Sequence, residues 1–445
     1  MQLKKKFVLV VMLQSALIST AFSQEQREFK GFIEDKEGSI LLRTGYFMRD
    51  KKNGRNDTNS TAQTAMFKIE SGFTKGILGF GVGLIGDASF KLGDNHHAGN
   101  GMIPLHNDGV KDLNGHVDAY DHWVRGGGIV KARFSNTEFR YGTQVLDLPV
   151  LASNTSRLVP EYFEGVLATS NEISGYELIA GKFTKNQYSD EIKSDDSELD
   201  RAVIWGIKHQ LNDTFSASYF GTDIKDRLKR HYINANYKHD LANKKSLTYE
   251  FSGYHTQWDT KPDGSAYTYS HTSNDLADLK NNIWALSGVY NSGNHNIMIA
   301  YQQNTGNTGY DYGLGKGVGD GRQSVYLPNS YLSDFSGNDE KSLQLQYMYD
   351  FEGLNIRGLK WTSSYVYGWD IDVAGEGDRS NLVTNNASER AFINQLKYTV
   401  QSGIAKDVSL LLRHSYYRAS SEYQDIYLGD TNEWRIWLDI PVKIF

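Results

Sequence analysis

The sequence has no cysteine and only 6 prolines, and no apolar run after its amino terminus reaches the roughly 20 residues that a spanning helix needs. Without thiols there can be neither a disulfide frame nor a thiolate metal site. Without long apolar runs, membrane helices are excluded. Basic residues do not predominate, with 47 Lys and Arg against 53 Asp and Glu. The net charge is -6, which offers no footprint for nucleic acid. Mean hydropathy of -0.52, with 39% hydrophobic and 22% charged residues, would suit a soluble protein. Aromatic residues and glycine are what the chain has in abundance: 28 Tyr, 20 Phe, 8 Trp and 43 Gly. Tyrosine and tryptophan favour the headgroup level of a bilayer, and glycine suits tight turns and close strand approach. The mixture points to a membrane β-barrel.

Residues 1–23 read as a secretory signal. Lys4, Lys5 and Lys6 precede an apolar run from Phe7 to Ile18, and Ala21-Phe22-Ser23 stands before Gln24. The mature chain is expected to begin near Gln24, with residues 24–445 forming a single barrel domain.

The last segment shows the pattern best. Trp434, Ile436, Leu438, Ile440, Val442 and Ile444 alternate with Glu433, Arg435, Asp439 and Lys443, so one face of a strand seeks hydrocarbon and the other water. Period-two segments of this kind recur from 38–49 through 122–134, 245–257 and 358–369 to 432–444. They predict an all-β fold, a closed transmembrane antiparallel β-barrel of about 18 strands. Short connections carrying Asn, Gly or Ser, such as Ser135-Asn136, Ser292-Gly293 and Leu241 to Lys244, alternate with long polar ones at 92–121, 147–163, 185–199, 258–280, 305–339 and 370–387. Short turns on one rim and long loops on the other are the asymmetry of outer-membrane barrels. On a regular strand Phe445 falls in phase with the water side, whereas recognition by the barrel-assembly machinery wants that aromatic outside. A bulge at Pro441 is the predicted remedy.

If apolar residues face lipid, the opposite phase lines a lumen where charge is affordable. That phase places Arg43, Lys131, Arg133, Arg140, Lys360, Lys397, Arg413 and Arg435 inside. Closure of the sheet gathers them on one side of the pore. Such a column can pass carboxylates from one cationic group to the next. The plainer reading pairs them with wall carboxylates such as Glu138 and Glu433, which would stiffen the barrel and select nothing. The 147–163 loop is the candidate constriction, because Val150, Leu151, Leu158 and Val159 would be wasted on an external surface. Folded inward, it brings Arg157 to the column. No catalytic constellation emerges. Gly313 to Gly321 surrounds Lys316, but Gly317 stands where a phosphate loop needs Ser or Thr. His96 and His97 beside Asp94 on a polar loop lack the pattern of a metal site. The chain is expected to be no enzyme and to need no metal or cofactor.

These segments resemble the OprD-type family of substrate-specific outer-membrane porins, the outer-membrane carboxylate channels, over essentially the whole mature chain. The stretches that carry the likeness include Tyr46-Phe47-Met48-Arg49-Asp50, Thr137-Glu138-Phe139-Arg140-Tyr141-Gly142, Ser156-Arg157-Leu158-Val159-Pro160, Ala180-Gly181-Lys182-Phe183-Thr184, Ser333-Asp334-Phe335-Ser336-Gly337 and Lys397 through Asp407. The resemblance implies an 18-stranded pore in the bacterial outer membrane, often weakly trimeric, embedded among outer-membrane lipid and lipopolysaccharide. It also implies an inward-folded third loop and a basic ladder carrying carboxylate-bearing nutrients to an eyelet. Leu411 stands where relatives often carry an arginine two residues before Arg413, and Ser364 where some carry a cation. The expectation is passive, selective diffusion of amino acids, short peptides or aromatic acids. A general diffusion porin, or an adhesin or receptor using the long loops, are the alternatives.

Overall fold

The computed structural model describes residues 30–445 except 96, 107–117, 196–198, 262, 269–270, 274, 313–324, 330 and 375–380. The signal segment, His96 and the whole Gly313 to Gly321 stretch lie outside the described residues.

Eighteen antiparallel strands form one sheet. They are β1 (Glu37–Lys51), β2 (Thr58–Glu70), β3 (Leu78–Lys91), β4 (His122–Phe134), β5 (Thr137–Gln144) and β6 (Tyr162–Ser170). Next come β7 (Tyr176–Gln187), β8 (Ala202–Gln210), β9 (Phe215–Ile224), β10 (Leu228–Leu241), β11 (Lys245–Trp258) and β12 (Lys280–Ser292). The last are β13 (His295–Gly306), β14 (Lys341–Asp350), β15 (Leu359–Val373), β16 (Thr384–Thr399), β17 (Ser409–Ala419) and β18 (Thr431–Lys443). Each strand pairs with its neighbours in sequence, and β1 pairs β18 over thirteen residue pairs from Ser39↔Lys443 to Lys51↔Thr431. The sheet is therefore closed, and no edge is left to template aggregation.

The alternation fixes which side is which. In β4, Val124 and Val130 point outward at 68% and 57% exposure, while Trp123, Arg125, Ile129 and Lys131 are buried. Apolar exposure of that extent is intelligible only against lipid. Hairpin geometry agrees with the expected turns. Ser135, Asn243 and Gly293 all take positive φ, which the favoured short connections require.

The predicted bulge at Pro441 is not there. The β1–β18 register runs through Leu41↔Pro441 without interruption. The N–H of Ile444 donates to the Gly38 carbonyl at 2.8 Å, so even-numbered residues of this segment hydrogen-bond toward β1 and Pro441 faces β17. Pairing with β17 ends at Ser409↔Asp439, so no ladder bond is lost by the missing donor. The chain departs from regular strand only after Lys443. The Phe445 ring then lies against Gly38, where a Cβ would come within 2.7 Å of it, on the lipid-phase side. Irregularities of register fall instead between Glu164 and Gly165 in the β6–β7 pair and between Gly368 and Val373 in the β15–β16 pair.

One glycine is indispensable to the wall. Gly126 has φ +132, and a Cβ there would meet the Ile85 carbonyl oxygen at 2.2 Å. Both strain and a backbone clash follow from any side chain. Gly126→Ala is expected to destabilise the barrel by about 2 kcal/mol or more. Urea unfolding in micelles, followed by tryptophan fluorescence, measures it.

Candidate functional site

The lumen is filled from the wall inward. The 147–163 connection does fold inside: Val150, Leu151, Leu158 and Val159 are 0–4% exposed. Leu158 reaches the interior phase of β1, where its Cδ1 lies 3.2 Å from a Cβ built on Gly45, and it shares an apolar cluster with Phe47, Met102, Ile103 and Trp123. Two neighbouring connections join it. Asn100 Nδ2 donates to the Phe47 carbonyl at 3.0 Å, so the 92–121 loop enters as well. From 305–339, Gln302 Nε2 holds the Asp334 and Phe335 carbonyls at 2.9 and 2.7 Å.

Every cation expected in the lumen faces it, and the register shows how they lie. On one row Lys360 is opposite Lys397, Lys397 opposite Leu411 and Leu411 opposite Trp437. One step toward the long-loop rim, Gln395 is opposite Arg413, Arg413 opposite Arg435 and Arg435 opposite Phe47. Leu411 and Trp437 therefore end the row of cations that Lys360 and Lys397 begin. Ser364 is buried and accepts from Gln344 Nε2 at 2.7 Å.

Most of these cations are engaged by acceptors. Arg43 grips both oxygens of Asp439 at 2.7 and 2.9 Å and donates to the Arg157 carbonyl at 3.3 Å. Arg435 donates to Glu433 at 2.5 Å and to the Ser156 carbonyl at 3.2 Å, with its guanidinium 4.4 Å over the Phe47 ring. Arg413 donates to Gln395 at 2.9 Å, and Lys360 lies 3.3 Å from Asp350. Across the closure, Lys131 and Arg140 converge on Glu70 at 2.9 Å each, and Arg140 also meets Glu138 at 2.5 Å. Arg133 lies on the short-turn rim, donating to the Ser135 and Gly76 carbonyls. Lys397, half-buried, has no ion pair within 4 Å among the described residues.

Three lumen arginines were not singled out from the sequence although the phase that found the others contains them. Arg49 shares Glu433 with Arg435, at 2.8 Å. Arg125 makes a buried pair with Asp87 at 3.0 Å and ties the loops by donating to the Tyr188 and Pro160 carbonyls. Arg230 of β10 stands nine strands from β1 in the ring of 18, hence across the lumen. It donates to Thr256 at 2.9 Å and the Tyr312 carbonyl at 3.0 Å, and lies 4.4 Å over the Tyr310 ring.

Where these walls approach, a narrow cavity is lined by Arg157, Glu161, Asp190, Arg230 and Tyr312 together with Pro149 to Ala152. Arg157 Nε and Asp190 Oδ2 lie 3.2 and 3.9 Å from a Cβ built on Gly101, so opposite charges flank one spot that only glycine leaves open. Glu161, just outside β6, is fully buried. It accepts from the Asn154 N–H at 3.0 Å and Asn186 Nδ2 at 3.1 Å. Burial is the main cause that pushes its pKa up to about 7; those hydrogen bonds and Arg125 oppose it, and Glu191 adds to it. A raised carboxyl pKa favours the folded arrangement fully below its ordinary value of 4.5, and that advantage fades as pH rises through about 7. Open-channel noise is therefore expected to grow from pH 5 to pH 8 as the constriction loosens, and Glu161→Gln is expected to flatten that dependence.

A closed barrel with apolar exterior, charged interior and loop-narrowed lumen is a channel, a porin of the Gram-negative outer membrane. Residues 30–444 match the outer membrane porin, OprD family, and the chain belongs to that family. Porin D of Pseudomonas aeruginosa is 34% identical over 96% of this chain and 95% of its own length. The crystal structure of Acinetobacter baumannii OccAB1 superposes with a TM-score of 0.86 at 59% identity, covering 95% of this chain and 100% of that one. Pseudomonas aeruginosa OpdK has been solved with vanillate and OccK2 with glucuronate, at 24% and 23% identity and TM-scores of 0.78 and 0.74. Each covers at least 93% of this chain and 100% of its own. Both of those ligands carry a carboxylate.

Proposed function

We propose that the chain passes small carboxylate-bearing solutes selectively and passively across the outer membrane, using the lumen cations as successive weak sites and the cavity at Arg157 as the filter. The carrying observation is the juxtaposition of Arg157 and Asp190 about Gly101 at the cavity beside the inward loop. A guanidinium recognises a carboxylate through paired hydrogen bonds, and an adjacent carboxylate suits the ammonium of an amino acid or peptide. Arg230 and Tyr312 on the facing wall present a cation and an aromatic ring to the remainder of the solute. Ligands bound by relatives, vanillate and glucuronate, belong to the same chemical class. Liposome swelling against a panel of amino acids, short peptides and aromatic acids tests this reading, with alanine variants of Arg133, Arg140, Arg157 and Arg413. Saturable uptake that falls in Arg157→Ala supports it. Unchanged uptake and unchanged anion-to-cation permeability in all four variants would sink it.

One observation favours a second reading. Most ladder cations are paired with a carboxylate or carbonyl of the wall, as Arg43 is with Asp439, which suits an unselective diffusion pore. Flux that depends on solute size alone, without saturation, would establish that alternative.

A further inference from the structure

The outward face of β15 to β17 carries a feature that transport does not use. Tyr365, Phe392 and Tyr416 lie side by side in register, all on the lipid side and exposed at 45%, 43% and 36%. They line a groove of about 400 Å³ together with Arg390. The next row toward the long-loop rim is Tyr367↔Arg390↔Arg418. Two arginines thus face each other directly across a strand pair, an arrangement that costs stability when nothing neutralises it. Arg418 is occupied: it donates to the Tyr417 carbonyl at 2.6 Å and to Asn432 at 3.1 Å, lies 3.8 Å from the Asp430 carboxylate and stacks its guanidinium 3.8 Å over Tyr416, so the charge left without a counter-ion on this row is that of Arg390. Arg390 is exposed and has no hydrogen bond or ion pair among the described residues.

Height on the wall identifies what could meet it. From Arg390 the outward face of β16 descends through Phe392, Asn394 and Leu396 to Tyr398, beside the short connection that follows Thr399. Those eight residues, tilted as barrel strands are, span about 20 Å. That is close to the apolar band of an outer-membrane wall. With Tyr398 at the inner headgroup level, Arg390 stands at the outer one.

We infer that the Arg390–Arg418 row and the aromatic groove beneath it form a docking site for a phosphorylated outer-leaflet lipid, lipid A, whose phosphate bridges the two guanidiniums while an acyl chain occupies the groove. Charge complementarity carries the choice of occupant. Asp430 answers the charge of Arg418 alone, an anion at this spot would answer that of Arg390, and among outer-leaflet lipids lipid A joins phosphates to acyl chains.

Native mass spectrometry of the purified full barrel in detergent tests the site with diphosphoryl lipid A, fully dephosphorylated lipid A and phosphatidylglycerol at equal concentration. Retention of lipid A is expected to drop about tenfold in Arg390→Gln and less in Arg390→Lys, as loss of a charged hydrogen bond predicts. The wild-type chain should retain the dephosphorylated lipid about tenfold less than the phosphorylated one, a comparison that needs no variant to fold. Arg357→Gln, on the short-turn side, serves as the control and should match wild type. Equal retention by Arg390→Gln and wild type overturns the site. So does equal retention of phosphatidylglycerol, or a second protomer occupying the groove in place of lipid.

Discussion

Arg157→Glu is expected to reverse the charge preference of the pore. The side chain is 3% exposed yet borders the narrow cavity, braced by the Phe47 ring 5.2 Å away and by Ser156 Oγ at 2.7 Å. Substitution by glutamate would put a third acid beside Asp190 and Glu161 and leave the Arg435 and Arg43 networks without the loop cation above them. At about 5 Å and the effective dielectric of about 20 typical of such sites, one unit charge acts on a passing ion by roughly 3 kcal/mol. Sign inversion should therefore change the anion-to-cation permeability ratio by well over tenfold, and uptake of carboxylates should fall at least as far. Arg157→Lys keeps the charge and loses the planar fork, so it should preserve anion preference while weakening saturation by carboxylates. Reversal potentials in planar bilayers under a salt gradient measure the first effect and swelling rates the second. A reversal potential unmoved by Arg157→Glu would remove this residue from the filter.

Much of the barrel could be read from alternation because the membrane imposes it. Residues 122–134 were expected as a strand and form β4 with those bounds. Misplaced ends share a cause. β16 begins at Thr384 rather than 388, with Asn385 and Asn386 inside it, and β7 continues to Gln187 through Lys185 and Asn186. Strands that project beyond the bilayer stay paired but no longer need an apolar face, so polar strand and polar loop look alike in sequence. Pro441 misled for a different reason: a missing donor matters only on a side that still has a partner, and β17 has already ended there.

The site was legible as a phase and illegible as a network. Alternation places Arg43, Lys131, Arg140, Arg413 and Arg435 inside, and it equally contains Arg49, Arg125 and Arg230. What no period can supply is pairing between strands far apart in sequence. Glu70 gathers Lys131 and Arg140 from two other strands, and Asp439 meets Arg43 across the closure. Depth along the strand decides the rest. Arg133 has the same phase as Lys131 but lies at the rim, bonded to turn carbonyls, where it can guide ions more readily than sort them.

Removing the constriction should have the largest effect on conductance. Excision of residues 150–159 with a short glycine linker takes away Leu158 and Val159, buried with Phe47 of β1 and Met102 and Ile103 of the 92–121 loop, and Val150 and Leu151, buried with Phe183, Phe220 and Tyr254 of β7, β9 and β11, so the packing that keeps the lumen narrow is lost on both sides. An 18-stranded wall without an inward loop leaves a wide aqueous channel, so single-channel conductance should rise roughly threefold or more. Solute flux should lose saturation at the same time, because Arg157 leaves with the segment and Arg43, Arg140 and Arg435 remain paired with wall carboxylates. Leu158→Asp makes the same point without shortening the chain. A carboxylate placed in the apolar cluster between Phe47 and Gly45 loses its hydration and competes with Asp439 and Glu433 for guanidiniums they already hold, so it is expected to loosen the segment from the wall. Heat-modifiable mobility on gels shows that the barrel itself is intact in each variant. Intact barrels of ordinary conductance would mean that the narrowest point is set elsewhere, by the 305–339 connection that Gln302 and Asn304 anchor through the Asp334 to Gly337 carbonyls; cutting those anchors with Gln302→Ala and Asn304→Ala would then widen the pore instead.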